Sequence, residues 1–554
     1  MEKIVSTKNC KNCTKEFSVT DRDQNFYKKM AVPEPTFCPA CRMQRRMAFR
    51  NERNLYKRKC DFSGRDIISV YPPTSKYKIY DQKIWWKDDW DPMEYGREFD
   101  FDRPFFEQFN DLLLEVPRQS LQLVNCENSD YGNDCDGSKN CYLCFNSGTV
   151  EDSYYCTTYG RNSKNCMDMF WSITCELCYE CSKVTQGYHS FWCFNCTNVT
   201  DCYFCDDCRS CEYCFGCVGL RHKKYHIYNK KVSKEEYENF IKNFHFTYDE
   251  IEKAKVKLKE LRLTVPYKNL QIVSSEDSEG DFLEGCKNCT ECFDVIMSAD
   301  SKYVWDGLID GGYDCFNTGV DTKFVYECLV AYYANNIKFA NISFYCSDVQ
   351  YSDSVYNSEH LFGCVGLRHK KYCILNKQYT KEEYEKLLPK IIEHMKETGE
   401  YGEFFPASLS SFGYNDTMAQ EYFPLTKKET DKQGFNWNDY VQPKPEGIKT
   451  IKAKDLPESI SDITDDVLNW VIECEKDGKP FKIIPQELKF YKKEGLSLPH
   501  LCPDCRHYER KWKVNPRKLY DRTCGKCGED MKTTFAPDRP EKVYCESCYL
   551  KEIV

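Results

Sequence analysis

The sequence predicts a multi-domain, mainly β protein. Treble-clef and zinc-ribbon modules at both ends flank a two-part parallel β-solenoid (β-helix-like) that carries helical insertions and caps. Three observations carry that reading: paired CxxC motifs near each end, a duplication of the whole terminal module, and a regular beat of short aromatic and cysteine-rich segments between them. Small units that cannot bury a face alone, repeated in series, mark a solenoid.

The terminal duplication is the plainest feature. Shifted by 464 residues, 10–60 aligns with 474–524 without a gap, and 19 of 51 positions are identical, FYKK, CPxCR and LYxRxC among them. Two pairs of thiols, Cys10/Cys13 and Cys38/Cys41, have the spacing of a four-thiolate tetrahedral site. The first module spans 1–60, and its partner spans 456–523. In the second copy Asp477 stands where the first has Cys13, so the ligand set is Cys474, Asp477, Cys502 and Cys505: a Cys3Asp site, a three-thiolate site or a lost one. Beyond it, 524–554 holds a complete ribbon, Cys524, Cys527, Cys545 and Cys548. Its counterpart in 61–120 keeps only Cys60 and reads as a metal-free ribbon filled by Tyr77, Ile79, Tyr80, Trp85 and Trp86, followed by a capping helix over 104–117. Two to three zinc ions per chain are expected, in closed sites that hold structure and leave no open coordination position for catalysis.

The middle divides into 121–232 and 285–378, related by an offset of 147 residues that pairs FGCVGLRHKKYHIYNKKVSKEEYE (215–238) with FGCVGLRHKKYCILNKQYTKEEYE (362–385). Segments such as KNCYLCFNS and SCEYCFGC start mostly 10–13 residues apart, each read as a strand of about five residues and a polar turn. Independent zinc knuckles strung together are the alternative. A helical insertion and linker occupies 233–284, and a helix and strap occupies 379–455. In 202–217 six cysteines fall at every third position, a spacing shared with iron–sulfur ligation. The second half replaces most of them with Ser, Tyr or Val, which favours small buried core groups over extra zinc or an iron–sulfur cluster.

The CPxCR motif, the FYKK segment and the C-x2-C knuckle resemble the probable zinc-ribbon (treble-clef) family. The FGCVGLRHKKYCILNKQYTKEEYE and FGYNDTMAQEYFPL segments extend a resemblance to cysteine-rich zinc-ribbon proteins of candidate-phylum bacteria. That resemblance implies a zinc site and no assigned activity.

Composition narrows function. The chain has 554 residues, 37 cysteines, 15% aromatics and a formal charge of −9, with no apolar run long enough to span a bilayer and no hydrophobic leader. Such a chain reads as cytoplasmic, with reduced thiols. Two basic islands, 28–60 and 492–524, interrupt the acidic background. Arg42, Arg46, Arg50, Arg53 and Lys57 recur at steps of 4, 4, 3 and 4, one face of a helix read over 42–58, and the second copy keeps Arg506, Arg510 and Arg517. Guanidinium rows suit bidentate phosphate contact, so nucleic acid, RNA before DNA, is the expected partner. A protein partner, a solvated face, or pairing with the chain's own acidic bulk are the competing readings. No GxGxxG, P-loop or GxSxG occurs, so no enzyme is expected. His222 and His369, in the two GLRHKKY copies, read as rung ends before acid–base groups.

Overall fold

Between Trp192 and Tyr228 the backbone turns left-handed at every third residue, from Trp192 (φ 53°) through Asn195, Asn198 and Asp201 to Tyr228 (φ 47°). Neighbouring turns pair in parallel with a register of twelve, Thr197 with Arg209 and Cys202 with Cys214. Cys214 then pairs with His226. Twelve residues per turn with a corner at every third residue describe a coil of four short sides. The sides are therefore three residues long, shorter than the five-residue strand and polar turn read from the sequence. A left-handed corner costs an L-residue roughly 1–2 kcal/mol. Parallel ladder bonds to the coils on either side satisfy the backbone polar groups and hold these corners in place.

A coil this narrow admits only small side chains. The interior of the first half is lined by fifteen cysteines with Val150, Met169, Val184 and Val199, all buried. The second half meets the same geometry with eight cysteines and Val, Ala, Ile and Leu. Most interior thiols face two carbonyls: Cys205 Sγ lies 3.5 Å from Tyr203 O and 3.6 Å from Cys214 O. The cysteine spacing is thus the corner period, and CxxC within the solenoid is geometry rather than chelation.

The computed structural model describes residues 2–158, 162–319, 321–443 and 449–553. The chain forms two compact units, Met1–Leu121 with Leu270–Tyr440, and Gln122–Asn269 with Val441–Val554. The N-terminal thiol-rich module therefore folds with the second solenoid half, and the C-terminal module with the first. The eight segments read along the sequence are not spatial neighbours in that order.

In the first unit the module comprises a hairpin of Ile4–Asn9 and Glu16–Thr20, then helices Asp21–Lys29 and Pro39–Met47. Thr20 caps the first helix through a reciprocal box with Asp23. The basic helix ends at Met47, and Lys57 sits on the strand Tyr56–Lys59, so the continuous helix expected over 42–58 does not form. That strand pairs antiparallel with Asp66–Ser69, across the segment boundary drawn at residue 60. Helix Phe105–Glu115 packs on the second half's flank, Phe105 lying 5.3 Å from the Phe362 ring. The second ladder begins at Ile272–Val273, thirteen residues before its expected start.

The second unit repeats the plan. Strands Tyr520–Thr523 and Asp530–Thr533 pair as 56–59 and 66–69 do. In each unit the ribbon adds a short parallel bridge, Ile79–Tyr80 to Arg118–Gln119 and Val543–Tyr544 to Tyr267–Lys268. Helices Lys234–Lys242 and Tyr248–Arg262 form the expected insertion. Among the described residues, no helix is long and apolar enough to cross a membrane.

Candidate metal centres and the buried arginine clamps

Four knuckles share one turn. In each, the fourth residue after the first cysteine goes left-handed: Thr14 (φ 62°), Gly64 (φ 69°), Gly478 (φ 68°) and Gly528 (φ 77°). The amide of that residue returns to the first cysteine's carbonyl, as in Gly478 N to Cys474 O at 3.0 Å. The turn aims the first and fourth side chains of C-x-x-C at one point, and the second pair enters on a helix N-terminus, Cys38 and Cys502 being the N-cap residues.

Three groups converge: Cys10, Cys13, Cys38, Cys41; Cys474, Asp477, Cys502, Cys505; and Cys524, Cys527, Cys545, Cys548, the donor atoms of each lying within 4.8 Å of one another. Cys13 and Cys38 Sγ are 3.8 Å apart, as are Cys527 and Cys545 Sγ. A tetrahedron with metal–sulfur bonds of about 2.3 Å has edges of about 3.8 Å, so these donors fit a four-coordinate ion. In the mixed group both Asp477 oxygens lie 3.9 Å from Cys502 Sγ, in the place Cys13 holds in the first copy. All three groups can hold a metal ion.

The N-terminal ribbon keeps the knuckle turn around a single thiol, Cys60. Cys60 Sγ accepts from the amides of Ser63 (3.5 Å) and Asp81 (3.2 Å), the latter matching the Cys545 amide on Cys524 Sγ in the complete ribbon. Its stability comes from Trp85, buried with its indole N–H on Pro117 O at 2.8 Å. Cys202–Cys217 belong to none of the three groups; their side chains are wholly buried in the solenoid.

The arginine row corrects the sequence reading. Arg42, Arg46, Arg50, Arg506 and Arg510 are buried, and Arg53 and Arg517 are half-buried; only Lys57 is exposed. Arg42 sends Nε (2.9 Å) and Nη2 (2.8 Å) to Asp314 on the second solenoid half, and Nη1 to Phe37 O at 2.6 Å. Arg46 lies between Asp314 and Glu327, and Arg45 pairs with Glu327 at 2.8 Å and Glu403 at 3.0 Å. Arg50 turns back to Glu52. The second unit repeats the clamp: Arg506 meets Asp168 (3.2 Å) and Glu487 (3.0 Å), and Arg510 meets Asp168 at 2.9 Å. These guanidiniums are consumed inside each unit, so the phosphate-facing stripe expected from their spacing is not at the surface. Burial pushes the carboxyls of Glu327 and Asp168 up, and the neighbouring arginines oppose that shift by favouring the charged form.

Asp168, Asp314, Glu327 and Glu403 were not singled out from the sequence. Asp168 and Asp314 occupy matching rungs of the two halves, MDMF and YDCF, a signal visible on aligning the halves rung by rung.

The GLRHKKY motif also finds its role. His222 and His369 are exposed corner residues with left-handed backbone (φ 53° each). Arg221, beside His222, takes the ribbon helix: its Nη2 lies 2.8 Å from Tyr549 OH and 3.1 Å from Asp207, which also accepts from Tyr549 OH. Arg368 does the same through rings, 5.2 Å from Trp85 and 5.6 Å from Trp90. Trp85 and Tyr549 are themselves 464 residues apart, the duplication offset.

No protein-family model matches the chain, and no curated protein matches it significantly.

Proposed function

We propose that the protein is a non-enzymatic scaffold, held together by zinc at its terminal modules, that presents one edge of its second solenoid half to a protein partner. The supporting observation is an apolar ridge. Register places Val273 beside Glu284 and Glu284 beside Ile296. Followed coil by coil, that row leads on to Tyr332 and Phe344, with Tyr333 and Tyr345 on the adjoining corner. Val273, Ile296, Met297, Tyr333 and Tyr345 are all exposed, Met297 at 65% and Tyr345 at 57%, and the two tyrosine rings stack at 4.8 Å. Exposed apolar side chains aligned along one edge mark an interaction site.

The strip carries Glu284 within it and Asp321 on its tyrosine corner, which disfavours phosphate and favours a protein surface. Nucleic acid is the second reading. Its support is reduced, because Arg42, Arg46, Arg50, Arg506 and Arg510 are committed to Asp314, Glu327, Glu52, Glu487 and Asp168. Thiolate-rich closed sites suit zinc and a structural role.

A photo-crosslinking residue at Tyr345, in the host cell, tests the proposal. A discrete protein adduct that disappears in Val273→Ser/Met297→Ser supports it. An adduct with RNA, or an adduct unchanged by those two substitutions, overturns it.

A further inference from the structure

The two units are copies, and one position is filled in the first and is a cavity in the second. In the first unit the strap residue Glu403 sits on the thiol-rich module: it accepts from the amide (2.7 Å) and the hydroxyl of Thr36 and pairs with Arg45 at 3.0 Å. Arg45 in turn pairs with Glu327 at 2.8 Å. The duplication offsets, 464 for the modules and 147 for the solenoid halves, put His500, Glu509 and Glu180 at the places of Thr36, Arg45 and Glu327. The last match lies in a shared YEC tripeptide, 179–181 and 326–328.

All three counterparts line one cavity of the second unit, of about 250 Å³. Helix Tyr248–Arg262 comes over the position that the strap takes in the first unit, with Tyr248 stacked on His500 at 3.5 Å. Ligand pockets of drug size run to roughly 300–1,000 Å³, so the occupant of this one is short.

Charge at the position is reversed, because Glu509 stands where the first unit has Arg45. At the floor Glu180 is answered by Lys255 at 3.5 Å, with Arg506, Arg510 and Lys513 close by. The rim holds Glu252, Glu475 and Glu509, each about half exposed. Lys255, 2.9 Å from Glu252, is already shared with Glu180, and the one further lysine of the lining, Lys476, lies 3.5 Å from Glu509. Glu475 takes the Tyr248 hydroxyl (3.4 Å) and His500 Nδ1 (3.1 Å). Trp192, Ile251 and Leu498 supply an apolar wall between rim and floor. A slot with an acidic mouth and an apolar wall fits a cation on a short aliphatic chain, the inverse of the carboxylate that Arg45 holds in the first unit.

We infer that this cavity binds a primary ammonium on a short aliphatic chain, as a free diamine or a lysine side chain carries it, with the ammonium among Glu252, Glu475 and Glu509 and the chain along Trp192 and Ile251. The site is separate from the three metal groups and from the ridge on the second solenoid half. A carboxylate on a chain of the same length meets like charge at the mouth and is rejected.

The test uses the full chain with its metal groups loaded with zinc. Calorimetry follows titration with 1,4-diaminobutane, with Nα-acetyl-lysine methylamide and with succinate, and the methyl resonance of Ile251 locates the binding. The expected result is an amine bound at one site per chain, with the Ile251 resonance shifted and succinate not bound. Binding of the diamine alone assigns the site to free diamines, and binding of the capped lysine alone assigns it to lysine side chains. Glu509→Arg, which installs the first unit's residue at an exposed helix position, should weaken the amine about tenfold or more, with zinc content unchanged. Glu252→Gln, which keeps the shape of the rim, should weaken it in the same direction. Absence of binding by both amines, succinate bound as tightly as an amine, or amine binding undiminished in Glu509→Arg overturns the inference.

Discussion

Arg42 places both Nε and Nη2 within 2.9 Å of one oxygen of Asp314, a residue 272 positions further along the chain, with both side chains almost completely excluded from solvent. Arg42 follows directly on the last thiol of its metal group, Cys41, so the metal module and the solenoid half meet at adjacent residues. The second unit makes the same joint with Cys505, Arg506 and Asp168.

Breaking that joint from one side strands a buried charge. Asp314→Ala leaves Arg42 without its carboxylate and Arg46 with Glu327 alone, and should cost about 3–5 kcal/mol of unfolding free energy. Arg42→Met combined with Asp314→Leu should recover most of that loss. Denaturant unfolding followed by tyrosine and tryptophan fluorescence measures both, and equal losses in the single and double variants would refute the clamp.

The second unit should lose stability in alkali. His189 sits between Asp201 (2.6 Å) and Glu494 (3.1 Å), whose hydrogen bonds raise its pKa to about 9. A folded-state pKa above the unfolded value of roughly 6.5 means the stabilisation is complete below that pH and is lost as pH rises through about 9. The partly exposed ring discounts the full shift, leaving on the order of 2 kcal/mol. His189→Gln should flatten the decline in melting temperature between pH 7 and 10, and an unchanged pH profile would rule out this pair.

Metal content separates the three terminal groups. Mass spectrometry of the intact chain should find three zinc ions, falling to two in Asp477→Ala, with Asp477→Cys keeping three and releasing the last more slowly to a chelator. Structural zinc contributes roughly 10–16 kcal/mol to folding of such a module. Stripping zinc should therefore raise amide exchange first at 524–548, where Cys527 is exposed. A wild-type content of two would remove Asp477 from the ligand set.

Tyr549 ties the ribbon helix to the solenoid through Arg221 and Asp207. Tyr549→Phe removes that hydroxyl and should cost about 1–3 kcal/mol, seen as faster exchange at Val543 and Tyr544. Trp85→Ala, at the matching joint, should cost about 3–5 kcal/mol through the cavity it leaves. Unchanged exchange in Tyr549→Phe would show that the ribbon is held elsewhere.

How much of this was legible depended on sequence distance. The knuckles, the thiol groups and the helices over 234–242, 248–262 and 381–397 rest on contacts within a few tens of residues, and their signals are spacings and caps. The solenoid was legible as a rhythm, but not its three-residue sides, because left-handed corners occupied by Trp192, Phe204 and Tyr213 carry no glycine to announce them. The arginine row was misread because its spacing fits a longer helix. The helix stops at Met47 instead, and Asn51 then donates to Val70 O and Asn54 O, leading the chain into the ribbon hairpin.

By itself, the sequence determined the parts: two copies of a metal module, two halves of a repeat and the donor atoms of each tetrad, since local spacing sets each of them. Only the tertiary structure decided which module joins which half and where the positive charge goes. Those choices are made by pairs such as Arg42–Asp314 and Arg221–Tyr549, hundreds of residues apart, whose attraction is strong only once both partners have left water.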